Sequence, residues 1–190
     1  MKIFAILVSL LLGYSDRSSA QIREVPLNEL LDNSTYIFEG SVLSTSQVWN
    51  RDSSWNYAFA IVQITKVFKG GLACGTIEVI MPGNEPIKKS KEKDGSVNLQ
   101  VIESEHGELR LETGQKGIFL CNKTKLPTKA DTLTNRIATE SYAGQQGFIQ
   151  YTSNNHKTVA HRFSSTYNDL DSLYLLIDSR TGIMHSNCSP

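Results

Sequence analysis

Apolar and polar residues alternate along most of this chain with the two-residue period of β-strands. Over Thr35–Val48, Tyr36, Phe38, Gly40 and Val42 share one parity while Ile37 and Leu43 take the other. That mixture predicts a long, twisted strand with some burial on both faces and a bulge at Gly40. After the polar turn Asn50–Ser54, the stretch Trp55–Phe68 alternates again and is rich in β-branched and aromatic residues, which predicts a partner strand and a hairpin. The hairpin from Tyr36 to Phe68 is the expected centre of the fold, with Phe59 and Ile61 buried in it. Gly70, Gly71 and Gly75 punctuate the connection to a third strand, Thr76–Met81. Pro82–Val97, with its run Lys88-Lys89-Ser90-Lys91-Glu92-Lys93, reads as an exposed loop with a solvated charge cluster. Gly114 and Gly117 lead into the apolar strand Ile118–Cys121, and Gly147 introduces another, Phe148–Tyr151. Near the start, Pro26–Leu31 suggests a short helix. Near the end, Tyr167, Leu170, Leu173, Tyr174 and Ile177 recur at helical spacing, with Asp169 and Asp171 placed early and Gly182 as a stop. Strands in series with a helix near each end predict a mainly β fold, a small closed or partly closed β-barrel with a short N-terminal helix and a C-terminal helix. No repeat or low-complexity linker divides it. We expect one domain over residues 21–182 and a tail over 183–190.

The first residues break the β pattern. Lys2 precedes the apolar run Ile3–Leu12, interrupted only by Ser9; Gly13 ends it, and Ser18-Ser19-Ala20 offers small residues where a signal peptidase cuts. Ten residues of helix cover about 15 Å, about half a bilayer core, so a membrane anchor fits poorly. Residues 1–20 read as a cleavable signal peptide, the working chain begins at Gln21, and the protein is expected to be secreted or at the cell surface. The sequence holds 19 basic and 19 acidic side chains, and losing Lys2, Asp16 and Arg17 with the signal leaves one net negative charge. Such a balance offers no footprint for nucleic acid. No other apolar stretch approaches spanning length. Three cysteines, Cys74, Cys121 and Cys188, allow three pairings and leave one over. Cys74 and Cys121 both flank predicted strands, which favours that pair as the possible disulfide. No CxxC or His spacing makes a zinc site, and neither a metal nor a cofactor is expected.

In their order, several segments resemble an N-terminal domain of secreted Bacteroidetes proteins. The likeness is carried by Tyr36-Ile37-Phe38-Glu39-Gly40-Ser41-Val42, Lys66-Val67-Phe68-Lys69-Gly70, His106 with Leu111–Leu120, Gly144–Tyr151, and the closing stretch Leu173–Gly182. It implies an exported module that usually precedes others, often a metalloprotease-like domain or a sorting domain for type IX secretion. The long hairpin and the GxxGIFL strand are also similar to the OB-like barrels of netrin-like domains and tissue inhibitors of metalloproteinases. That likeness concerns the fold. Those inhibitors reach a catalytic zinc with an N-terminal cysteine, and a chain starting at Gln21 lacks one.

Catalytic patterns are sparse. No GxSxG elbow frames a serine, and no HExxH occurs. Of the four histidines, His106, His156, His161 and His185, the first stands among Glu103, Ser104 and Glu105, where it could serve as a base but reads better as a loop residue. His156 and His161 are five apart, which on a strand places them on opposite faces. Trp49, Trp55 and Tyr57 cluster at the tip of the first hairpin and form the candidate binding surface, for a glycan or a protein partner; the competing reading has them close one end of the barrel. The sequence therefore points to a secreted, non-catalytic binding or accessory module. An extracellular hydrolase assembled from distant residues, and a carbohydrate-binding or adhesive module, are the alternatives.

Overall fold

The computed structural model describes residues 23–49, 56–82, 87–91, 97–101, 109–124, 137–154, 157–162 and 164–188. The proposed signal peptide, Trp55, His106 and His156 lie outside them. Helix α1 (Leu27–Asn33) opens the domain, followed by β1 (Tyr36–Trp49), β2 (Asn56–Lys69) and β3 (Thr76–Pro82). A separate hairpin, β4 (Ile87–Lys91) with β5 (Val97–Val101), comes next, then β6 (Lys116–Lys123), β7 (Ala138–Ser141), β8 (Phe148–Asn154), β9 (Lys157–Arg162) and β10 (Ser165–Tyr167). Helix α2 (Leu170–Thr181) and the short β11 (Ser186–Asn187) finish it.

Five strands close into a barrel in the order β1-β2-β3-β7-β6, with β6 returning to β1. Only β3 and β7 run parallel within that ring. This is the strand order of an OB-type barrel. Strands β8, β9 and β10 extend the sheet outward from β6.

Strand β1 serves two partners at once, which explains its mixed pattern. It pairs with β2 along its length and with β6 over Tyr36–Ser41. Register shifts at Ile37/Phe38, Glu39/Gly40 and Val42/Ser44 bend it around the ring, so the bulge expected at Gly40 is present. Gly40 faces Gly117 across the β1–β6 seam. A Cβ on Gly40 would lie 2.5 Å from the Gln63 carbonyl oxygen, and one on Gly117 would overlap the Ile149 carbonyl. The missing side chains let β2 press close on β1 at Gly40 and β8 on β6 at Gly117, on either side of the seam.

The barrel interior is filled by Phe38 and Val42 of β1, Ala58, Ala60, Val62 and Ile64 of β2, Ile77, Val79 and Met81 of β3, and Phe119 of β6. Phe38 stacks on Phe119 at 5.2 Å between ring centres, and Phe148 tilts against Phe119 at 4.7 Å. The inward parity of β2 is thus its small one. Phe59 is buried, but it projects on the opposite parity and is no member of the interior cluster, and Ile61 is only half-buried. A narrow barrel accepts alanines where three phenylalanines already occupy the centre.

A second core lies on the outer face of the sheet, where α1 and α2 pack Leu30, Leu31, Leu173 and Ile177 against Ile37, Phe68, Ile118 and Ile149. Helix α2 starts where the Asp169 carboxylate accepts the Asp171 amide at 3.1 Å, and ends on Gly182 at φ 67°. Arg180 of α2 donates to Asp32 of α1 at 2.7 Å, joining the helices.

Three expectations change. Within Pro82–Val97, Ile87–Lys91 is strand rather than loop; Lys88 pairs with Gln100 and Lys91 with Val97. The residues after Gly182 are not a free tail, because Ser186 and Asn187 pair with Val67 and Lys66, and the Cys188 amide donates to the Thr65 carbonyl at 2.9 Å. That return brings Cys188 to the β2–β3 connection, and the disulfide is Cys74–Cys188, with Cα atoms 5.4 Å apart. Cys121 is free and sealed in the barrel interior, so the pairing of Cys74 with Cys121 fails on geometry: alternation on β6 turns the thiol inward, away from the loop that holds Cys74. Among the described residues no helix is long and apolar enough to cross a membrane.

Candidate functional site

Strand alternation and the bulge before Gly40 put Glu39 on the outer face of β1, the face that carries Ile37 to the helices. Lys66 stands directly across from it on β2. Its ammonium lies 3.7 Å from Glu39 Oε2 and 3.7 Å over the ring of Tyr174, which α2 lowers onto the sheet. The Tyr174 hydroxyl donates to the same Glu39 oxygen at 2.5 Å. The other oxygen, Oε1, receives only a long contact of 3.5 Å from the Thr65 hydroxyl. Glu39 therefore has one committed oxygen and one with acceptor capacity to spare.

Tyr151 of β8 completes the cluster. Its hydroxyl oxygen is buried within reach of the Glu39 carboxylate and the Tyr174 hydroxyl, without a well-formed hydrogen bond of its own. Burial, with the Glu39 carboxylate nearby, pushes its phenol far above the ordinary tyrosine range; burial, then the hydrogen bond to Glu39, does the same to Tyr174. Both phenols are thereby held in the protonated form, as hydrogen-bond donors.

Of this cluster, Glu39 and Tyr151 reach a cleft of about 690 Å³ near the N-terminal end of α2. Glu39 and Tyr151 line it, together with Lys116, Gln150, Thr158 and Leu170. The turn Thr113–Gln115 forms its rim. Gln115 is held there because its side-chain oxygen accepts the Glu112 amide at 3.0 Å. Apart from Leu170 and the tyrosine ring, the lining is polar. The size suits a small ligand, and the lining suits one that hydrogen-bonds through several groups.

The histidines do not join this cluster. His161 is exposed on β9, its ring nitrogens 3.1 Å from the Thr152 hydroxyl and 3.3 Å from that of Thr166. His185 pairs with Asp178 at 2.7 Å and packs its ring on Phe68 and Tyr174, behind the wall of the cleft. Arg162, buried on β9, donates to the Val25 carbonyl at 2.9 Å and to Glu24 at 2.8 Å, which ties the N-terminal strap to the sheet. Among the described residues no group of three His, Cys, Asp or Glu side chains could hold a metal ion.

Of the hairpin-tip aromatics, Trp49 ends β1 opposite Asn56, and Tyr57 stands opposite Val48. Ten residues of strand, about 33 Å, separate Trp49 from Glu39, so tip and cleft are different places. Sequence reasoning passed over Glu39, Lys66, Tyr151 and Tyr174 as site residues. One sign was available: Glu39 is a carboxylate inside the apolar run Tyr36–Val42, on the parity of the fully buried Ile37. No protein-family model matches the chain, and no curated protein matches it in sequence.

Proposed function

We propose that this chain is a secreted, non-catalytic binding module whose ligand enters the Glu39–Tyr151 cleft. The observation that carries the reading is the cleft itself: a largely polar-lined cavity of about 690 Å³ whose wall holds the Glu39 carboxylate, one oxygen taken by the Tyr174 hydroxyl and the other only in long contact with Thr65. Export rests on the sequence, through the apolar run Ile3–Leu12 and the small residues before Gln21. The resemblance of several segments, in their order, to an exported Bacteroidetes domain supports an accessory role beside other modules.

Two measurements test this. The exported protein should begin at Gln21, cyclised to pyroglutamate, by intact mass; retention of Met1 would contradict export. The purified protein should show no turnover of casein, model esters or glycans. Turnover abolished by Glu39→Gln or by His161→Ala would put the hydrolase reading in its place.

A further inference from the structure

We infer that the C-terminal segment is a redox latch: an external dithiol that reduces Cys74–Cys188 releases β11 from the edge of β2 and leaves the barrel folded. The latch closes an edge that the barrel strands leave open. Strand β3 pairs with β2 only as far as Gln63, and the Ile64 amide donates to the Gly75 carbonyl at 2.8 Å. On its other side β2 is paired with β1 through to Lys69. Beyond Ile64 the uncovered edge is taken by β11, with Ser186 on Val67, Asn187 on Lys66 and the Cys188 amide on the Thr65 carbonyl.

Little besides the disulfide holds the strand there. The segment is fastened at its near end, where Asp178 accepts the His185 amide at 3.1 Å and pairs with the imidazole at 2.7 Å. At its far end Ser186 and Asn187 are exposed, and Cys188 is the residue packed against the interior cluster. Ordering three backbone residues costs more than a few exposed hydrogen bonds return, so the covalent bond decides the balance. The bond is also within reach of solvent. Cys74 is exposed on the β2–β3 connection, whereas Cys121 is sealed inside the barrel. A thiolate of the dithiol attacks the Cys74 sulfur, and Cys188 leaves and takes a proton; the second thiol then displaces Cys74. The two electrons and two protons of the dithiol end on the cysteine pair, and the dithiol departs as its own disulfide.

The test uses the isotope-labelled chain from Gln21 in native buffer, with and without dithiothreitol. Amide hydrogen exchange is followed by NMR, and iodoacetamide labelling by mass spectrometry. Reduction should bring labels to Cys74 and Cys188 and none to Cys121. Exchange at the Cys188 amide should quicken by about a hundredfold or more, while amides of the β1–β6 seam keep their protection. Reoxidation should restore the slow exchange, and Cys188→Ser should show the fast exchange without dithiothreitol. A Cys188 amide that stays protected in the reduced protein would mean that backbone pairing holds β11, and the latch is refuted. Loss of protection along β1–β6 together with Cys188 would make the bond a staple of the whole fold and refute it too. A bond that dithiothreitol cannot reduce in the folded protein also overturns it.

Discussion

At the scale of single residues, the Tyr151 hydroxyl is buried within reach of the Glu39 carboxylate and the Tyr174 hydroxyl. Tyr151→Phe removes that polar contact and keeps the ring, so urea unfolding should show a change of no more than about 1 kcal/mol. A much larger loss of stability would mean that the hydroxyl, and not the ring, holds the cluster together. Cys121 is sealed more completely: burial pushes its thiol up to about 12, so the native protein should resist iodoacetamide and react only on unfolding, read by mass spectrometry. Acid sensitivity is also local. The hydrogen bond from Arg180 holds the Asp32 carboxyl below its ordinary range, and hydrogen bonds from Ser164 and then Ser165 do so for Glu24. A carboxyl depressed in the folded state adds stability above its unfolded pKa and loses it as pH falls through the folded value. Asp32→Asn should therefore lower Tm at pH 7, and the difference between the two proteins should shrink as pH falls through the folded value. The sequence showed the polar candidates at this scale without their neighbours. Glu39 and Lys66 are 27 positions apart and Glu39 and Tyr174 135, and only the pairing of β1 with β2 and the docking of α2 bring them together.

At the scale of elements, the long strands and α2 were legible because each carries its own period, and α2 also its Asp169 cap and Gly182 stop. Tyr36–Trp49, Asn56–Lys69 and Leu170–Thr181 fall within a few residues of the alternation and helical spacing that announce them. The face of β2 was not. Aromatic Phe59 invited the interior, but the barrel centre is taken by Phe38, Phe119 and Phe148, and Ala58 and Ala60 fill what remains. The short strands β4, β7 and β9 escape the sequence pattern because four to six residues hold too little of it, and β7 is also set by partners distant in the chain, β3 and β6. Two substitutions test the arrangement. Ala60→Leu should cost about 1–3 kcal/mol by overpacking an interior position that is fully buried. Gly117→Ala should destabilise through collision with the Ile149 carbonyl, so a stable Gly117→Ala protein would show the β1–β6–β8 seam to be looser than described.

At the scale of the whole molecule, a barrel of OB type is wrapped by two helices, and its C-terminal strand is stapled back to the β2–β3 connection. The Cys74–Cys188 bond closes a sequence separation of 114 residues, so its removal should cost about 3–5 kcal/mol by widening the unfolded ensemble. That pairing was not legible from spacing, since three cysteines leave three choices and only the return of β11 along β2 selects one. The staple also holds the segment that carries His185 against Phe68 and Tyr174. The central claim for the molecule is that a ligand enters the Glu39–Tyr151 cleft and not the hairpin tip. The most direct measurement of that claim is a calorimetric screen of a glycan and peptide panel against three proteins: the parent, Glu39→Gln, and the double variant Trp49→Ala/Trp55→Ala. The cleft account predicts that a probe bound by the parent loses about tenfold in affinity for Glu39→Gln and keeps parental affinity for the double variant. Parental affinity in Glu39→Gln with binding abolished in the double variant would contradict it and place the site at the hairpin tip.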